Sequence, residues 1–373
     1  MHVAIAGSRG FPYVYSGYET FVSELAPRLV ARGHRVTVYC HRGLFSERPT
    51  EVRGVQLVYA WGVRGRNLSQ PTHSLSSAVH LVLRRDRPDV VLFVNSANGP
   101  LGFLLGAAGI PAAVNVDGLE WLRPKWRGLG AVYFRWASRM ATRAYDLVIT
   151  DAEAMAEAYR REFGAPSVTI AYGANLGWST NAECLKLFGL ERDGYYLVVG
   201  RLVPDNNADT VVRGFVGATS GRKLVVVGDV PYADGYAQAV RTAGDERVVF
   251  TGYVRDPDVL RELYCNAYAY LHGHEFGGTN PTLLKALACG CCIAALDTPF
   301  SREVLAAERH GVYFCKDPAS VAQTIAMLDA SPRLVRDMRA RARGRIDEAY
   351  TWERITGQYE AALRRLCEGH DEP

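Results

Sequence analysis

Short apolar runs alternate along the whole chain with longer stretches in which apolar residues recur every three or four positions. The runs at residues 3–6, 35–40, 55–59, 90–94, 112–116, 147–150 and 168–171 read as strands. Between them a helix is expected over about 18–32, with Phe21, Leu25, Leu29 and Val30 on one face and Gly33 as its stop. Further helices are expected over 75–84 and 101–108. A polar bridge, 173–193, interrupts the pattern, and the same grammar then restarts. Strands are expected at 195–199, 223–227, 248–250, 267–271, 292–295 and 312–314, with a helix ending near Phe215. Strand, loop, helix, strand in this order predicts an α/β fold, with parallel sheets covered by helices on both faces. The expected organisation is a first Rossmann-like domain over 1–172 and a second over 173–350, facing one another across a cleft. A terminal segment, 351–373, is expected to be helical over 352–367 and to pack back on the first domain.

One segment carries more chemistry than the pattern alone. At residues 275–290 a glycine pair, Gly277-Gly278, and a Thr279-Asn280-Pro281 turn run into the helical positions Leu283, Leu284 and Leu287, and Gly290 ends the helix. Unpaired backbone N–H groups and the helix dipole suit an anion at such a start. Pro281 fits the first turn, where its missing N–H has no partner to lose. The loop reads as a seat for phosphate, although glycines also precede many helices that bind nothing.

Composition narrows the class. The chain has 373 residues, 48% hydrophobic and 22% charged, with a formal net charge of +4. That charge is too small to argue for nucleic acid. No apolar run reaches the length of a bilayer span, and the opening Met1-His2-Val3-Ala4 reads as a first strand rather than a signal peptide. Eight irregularly spaced cysteines suit reduced core thiols in a cytoplasmic protein. Cys289 and Cys292 form a C-x-x-C, but they join a helix end to a buried strand, which favours packing over zinc or redox chemistry.

Five places together carry a resemblance. They are Gly7-Ser8-Arg9-Gly10-Phe11-Pro12 with Ser16-Gly17-Tyr18-Glu19-Thr20-Phe21; Asn115-Val116-Asp117-Gly118-Leu119-Glu120-Trp121; Gly200-Arg201-Leu202-Val203-Pro204-Asp205-Asn206-Asn207; Gly228-Asp229-Val230-Pro231-Tyr232-Ala233-Asp234; and Gly277-Gly278-Thr279-Asn280-Pro281. Spread from end to end, they make the chain resemble the retaining GT-B glycosyltransferases that use nucleotide sugars, and within them a rhamnosyltransferase-like subgroup. The resemblance implies a nucleoside diphosphate sugar as co-substrate, with no cofactor and no metal. Cations and N–H groups then have to stabilise the charge growing on the leaving diphosphate.

The resemblance assigns residues to that task. Arg201 would grip the diphosphate, the alternative being a surface ion pair. Asn206 stands where relatives often carry a lysine. Gly10 and Gly17 in the first domain, and Gly277, Gly278, Thr279 and Asn280 in the second, would bring backbone close to the donor. Tyr253, Val254 and Leu284 are expected near the base and ribose. Many relatives have a glutamate at each end of the second-domain loop; here the positions hold Gly277 and Lys285. A charged lysine accepts no hydrogen bond, so Lys285 is open to three roles: a diphosphate contact, a donor to the ribose, or the mark of a weakened donor site. Glu275 lies off the usual register.

Asp117 follows an apolar strand and precedes Gly118, which places it at the C-terminal edge of the sheet. In the resembled enzymes the acceptor hydroxyl attacks from the leaving-group side, and no protein nucleophile is required. Asp117 would then orient the acceptor or stabilise the cationic sugar; as a bland alternative it is a turn residue. Arg9, Glu19 and Glu120 are expected on the acceptor side, with Glu19 equally suited to the helix dipole. Residues 121–145 hold Arg123, Lys125, Arg127, Arg135, Arg139 and Arg143, no acid, and interleaved Trp121, Trp126, Tyr133, Phe134 and Trp136. Such a segment suits an anionic membrane surface carrying a lipid-linked acceptor, or else packing with solvated arginines.

The function expected is transfer of a hexosyl or deoxyhexosyl unit to a saccharide or lipid-linked glycan, in the cytoplasm or at the inner face of the membrane. The rival is a catalytically silent relative that binds a nucleotide sugar or glycan. A dinucleotide oxidoreductase is disfavoured, because no G-x-G-x-x-G follows a strand.

Overall fold

Five consecutive apolar residues, Tyr195–Val199, form a strand buried at every position, as a parallel strand covered on both faces requires. His2–Ala6 and Val90–Val94 are buried throughout in the same way. The computed structural model describes the chain apart from residues 13–16, 66–67, 125, 127, 231–234 and 371–373. Ser16, Lys125, Arg127 and Pro231 to Asp234, quoted above, lie outside the described residues. The chain forms two units, one of Met1–Tyr172 with Trp352–Pro373 and one of Gly173–Thr351.

In the first unit β1 (His2–Ala6), α1 (Gly17–Ala31), β2 (Arg35–His41), β3 (Glu51–Val52), β4 (Val55–Ala60), α2 (Ser69–Leu83) and β5 (Val90–Val94) come first. They are followed by α3 (Gly102–Ala107), β6 (Ala112–Val116), α4 (Leu129–Ala144), β7 (Leu147–Thr150), α5 (Glu153–Phe163) and β8 (Val168–Thr169). The sheet order is β3-β4-β2-β1-β5-β6-β7-β8. It is parallel except at its edge, where β3 pairs antiparallel with β4, a hairpin the apolar pattern does not announce. Strand order and the right-handed crossover rule place α1 on one face and α2, α3 and α4 on the other, and α3 packs against both α2 and α4. The helix expected from residue 75 starts at Ser69, because Pro71 falls in the first turn, where a missing N–H is tolerated.

The second unit contains β9 (Tyr195–Val199), α6 (Ala208–Gly217), β10 (Lys223–Val227), α7 (Gly235–Thr242), β11 (Val248–Gly252), α8 (Pro257–Cys265) and β12 (Ala269–His272). It continues with α9 (Pro281–Ala288), β13 (Cys292–Leu296), α10 (Pro299–Val304), β14 (Val312–Phe314), α11 (Pro318–Ala330) and α12 (Pro332–Ala349). Its sheet, β11-β10-β9-β12-β13-β14, is parallel at every pair. The last helix, α13 (Trp352–His370), belongs to the first unit. There Tyr359 receives a hydrogen bond from Asn115 of β6 at 2.6 Å and packs on Phe21 of α1 with ring centroids 5.1 Å apart. Arg32 pairs with Glu360 at 2.8 Å.

Both C-x-x-C thiols are buried, and Cys292 rests on Met338 with its sulfurs 3.7 Å apart.

One buried carboxylate fastens the start of the second unit. Glu262 of α8 accepts the Thr180 and Asn181 N–H groups at 2.5 and 3.0 Å, the Ser179 hydroxyl at 2.6 Å and the Asn266 amide at 3.0 Å. Burial pushes its carboxyl up, but these hydrogen bonds outweigh burial and hold it at about 2, below the usual 4.5. A depressed carboxylate stabilises the fold above its unfolded pKa, and that stabilisation is lost as pH falls from about 4.5 towards 2. Glu262→Gln is therefore expected to lose about 2 kcal/mol at neutral pH. Thermal melts should show that deficit shrinking as the pH is lowered through this window; a deficit independent of pH would mean that the charge is not what matters.

Candidate functional site

In the second unit the strand order reverses between β9 and β12, and open parallel sheets bind ligands beside the C-terminal ends of the strands at such a reversal. Loops 200–207 and 273–280 leave β9 and β12 there and interlock. Asn207, at φ 49°, heads α6, and its amide donates to the Gly273 carbonyl at 2.9 Å and to Glu275 at 3.3 Å. The Glu275 N–H returns a bond to the Asp205 carbonyl at 3.0 Å. Glu275 also pairs with Lys316 at 2.5 Å, so it is spent on holding the loop. The Asn206 amide donates to the Arg201 carbonyl at 2.8 Å and thus shapes the loop. The Arg201 side chain is exposed and pairs with no carboxylate among the described residues.

The glycine loop closes the other side. Gly277 has φ 140°, which a side chain would strain. The Asn280 side chain accepts the Thr282 N–H at 2.9 Å and its hydroxyl at 2.7 Å, and Pro281 is the first residue of α9. Asn280 therefore caps the helix, and its side-chain oxygen is committed to that. Thr279 is buried. His272, His274, Gly277, Gly278, Asn280 and Phe300 line a small recess here. The rings of His272 and His274 stack at 4.5 Å, and burial pushes His272 well below the usual range, so it is neutral.

Leu284 and Lys285 both stand on α9. The Leu284 side chain is fully buried against the core. The Lys285 ammonium lies 5.9 Å from the centroid of the Tyr264 ring on α8. Tyr253 is exposed and Val254 half-buried just after β11, at the far edge of the sheet from β12.

In the first unit the order reverses between β1 and β5. The loop after β1 is clamped: Gln70 donates to the Gly7 carbonyl at 2.5 Å, and Glu19 accepts the Arg9 N–H at 2.8 Å. Gly10 lies against Cys40, and Gly17 is the first residue of α1. Glu19 is only 2% exposed, and it holds the Arg9 loop. Glu120 is held by its neighbours in a similar way. It is buried, pairs with Arg123 at 3.0 Å and accepts the Trp126 indole at 2.7 Å.

Asp117 stands immediately after β6, half-buried. Tyr172 donates its hydroxyl to Asp117 at 3.0 Å, and Tyr18, in the first turn of α1, also hydrogen-bonds it. Its carboxylate is held by two phenols, and the 3₁₀ turn that follows is capped by no side chain. Burial raises the Asp117 carboxyl above its usual range, against the Tyr18 hydrogen bond and the Arg123 charge. Both tyrosines are pushed well above their ordinary value, burial first and the Asp117 charge next, so they stay protonated donors. Tyr18 stood within a quoted motif, whereas nothing in the sequence singled out Tyr172.

Residues 15–176 match the family model of Glycosyltransferase Family 4, and residues 194–330 match that of Glycosyl transferases group 1. No curated protein sequence matches the chain. Among solved structures, sucrose-phosphate synthase from Thermosynechococcus elongatus is similar over 99% of both chains, with a TM-score of 0.83 and 18% identity. Anabaena HepE in complex with UDP and glucose is similar over 98% of this chain and all of its own, with a TM-score of 0.79 and 15% identity. A glycosyltransferase from Rickettsia africae is similar over 98% of each chain, with a TM-score of 0.74 and 12% identity.

Proposed function

Because the chain belongs to the GT-B glycosyltransferases represented by those two family models, we propose that it moves a hexosyl or deoxyhexosyl unit from a nucleoside diphosphate sugar to a saccharide or lipid-linked glycan. In this reading the configuration is retained, no metal takes part, and the chain falls in the rhamnosyltransferase-like subgroup. The work is done in the cytoplasm, at the inner face of the membrane when the acceptor is lipid-linked. The observation that carries the reading is the exposed guanidinium of Arg201 beside two interlocked loops at the strand reversal of the second unit. An arginine without a carboxylate partner among the described residues, set where parallel sheets bind ligands, suits a diphosphate. The solved HepE complexes hold UDP and UDP-glucose, which makes uridine the first base to test.

The donor leaves as a nucleoside diphosphate, and Arg201 together with the backbone of Gly277 and Gly278 would stabilise the charge on it. On the first unit, Asp117 would orient the acceptor hydroxyl or stabilise the cationic sugar, with Arg9 beside the acceptor. The departing phosphate accepts the proton as the hydroxyl attacks from its own side. No nucleophile on the protein is needed for that step.

Calorimetry against a panel of nucleoside diphosphates tests the reading. Binding is expected for at least one base, and Arg201→Ala should weaken it by about tenfold or more. If Lys285 swings to the phosphates when they are bound, Lys285→Ala weakens binding as well. No binding by the wild-type chain sinks the donor-site reading. Binding that appears only in Lys285→Glu favours a catalytically silent relative instead.

A further inference from the structure

The outer face of three neighbouring helices in the first unit is apolar where folding does not need it to be. On α4, Phe134, Ala137 and Ala141 are buried and account for its packing. Leu129, Val132, Tyr133 and Trp136 form a second stripe at i, i+3, i+4 and i+7, and all are exposed, Leu129 at 88% and Val132 at 64%. α3 packs against both α4 and α2. It exposes Phe103 and Leu104, and α2 exposes Leu75, Val79 and Leu83 at successive turns. Single exposed hydrophobic residues are ordinary, but a field spread over three adjacent helices marks a contact surface.

Charge says what covers it. α2, α3 and α4 contain no aspartate or glutamate. The ionised side chains on them are Arg135, Arg139 and Arg143. Arg135 is paired with Glu162 at 2.6 Å. Arg139 and Arg143 pair with no carboxylate among the described residues, and they continue the exposed stripe two turns beyond Val132 and Trp136. A two-fold contact between copies would set arginine against arginine, with no acid on the patch to offset them.

We infer that the face formed by α2, α3 and α4 docks on an anionic lipid bilayer, with Leu129, Val132 and Trp136 seated at the headgroup boundary and Arg139 and Arg143 on lipid phosphates. Trp and Tyr favour that boundary because each has an apolar body and a polar tip. Each arginine near an anionic surface adds roughly fivefold in affinity. The inference rests on the proposed lipid-linked acceptor for its purpose, and it is measured without it.

The full chain is spun down with phosphatidylcholine vesicles, with and without phosphatidylglycerol. It should pellet with the anionic vesicles, and less so as salt rises. Val132→Asp with Trp136→Asp should abolish pelleting, and Arg139→Glu with Arg143→Glu should weaken it by at least about twentyfold. These side chains are exposed, so thermal melts should match wild type; should the aspartate pair fail to fold, the glutamate pair still decides. Calorimetry with UDP on the same preparations separates the two readings, since vesicle binding is lost here while nucleotide binding is kept. Failure of the wild-type chain to bind anionic vesicles overturns the inference. So does a lipid-free dimer that Val132→Asp with Trp136→Asp converts to monomer.

Discussion

Asp117→Asn is expected to lower turnover by about 10²–10³-fold while leaving nucleoside diphosphate affinity unchanged. The amide keeps an oxygen in place of the carboxylate, so the Tyr172 hydroxyl still has an acceptor where it now donates at 3.0 Å. What disappears is a negative charge in a half-buried site, where its field on a developing cationic sugar is screened less than in open water. The same burial raises the Asp117 carboxyl, so the wild-type rate should fall on the acid side at a pH above the usual carboxylate range. The asparagine variant should lack that limb. Release of nucleoside diphosphate from UDP-glucose or another bound donor, followed against pH, gives both readouts. Turnover within about threefold of wild type would reduce Asp117 to a turn residue.

Gly228→Ala is expected to destabilise the second unit by about 3 kcal/mol and to abolish nucleotide binding. Gly228 follows β10 at φ 125°, and an added Cβ would lie 2.0 Å from the carbonyl oxygen of Gly200 and 2.8 Å from its carbon. Both are backbone atoms of the residue that precedes Arg201. They are pinned there by the Gly200 N–H on Val227 at 2.9 Å. Relief therefore requires the Arg201 loop itself to move. The melting temperature should drop by roughly 5–10 °C. Gly217→Ala, with nothing within 4 Å of its Cβ position, serves as the control and should melt at or above wild type. Unchanged melting and nucleotide affinity in Gly228→Ala would show that the loops tolerate separation.

What the sequence discloses follows from where the information sits. The strands Val90–Val94, Ala112–Val116 and Lys223–Val227 emerge with the bounds read from their apolar runs, because central parallel strands are apolar on both faces. The edge strand Glu51–Val52 has no such run, and its pairing is not legible. The ligand loops are readable because glycine and proline punctuate them directly after strands. Their fastening is not, since Asn207 reaches Gly273 across 66 positions and Tyr172 reaches Asp117 across 55. The same limit hid the burial of Glu19, Glu120 and Leu284. Residue type says what a side chain can do, and only the packed fold says which way it faces.

The return of α13 to the first unit bears on the order in which the chain is completed during synthesis. Residues Gly173–Thr351 form a unit continuous in sequence, and all of them leave the ribosome before the helix that supplies Tyr359 and Glu360 to α1 and β6. The part made first is thus finished last. Until then Phe21 and Asn115 lack their partners on α13, and the nascent first unit waits with an apolar face uncovered. An uncovered apolar face of this kind favours misassembly during that interval.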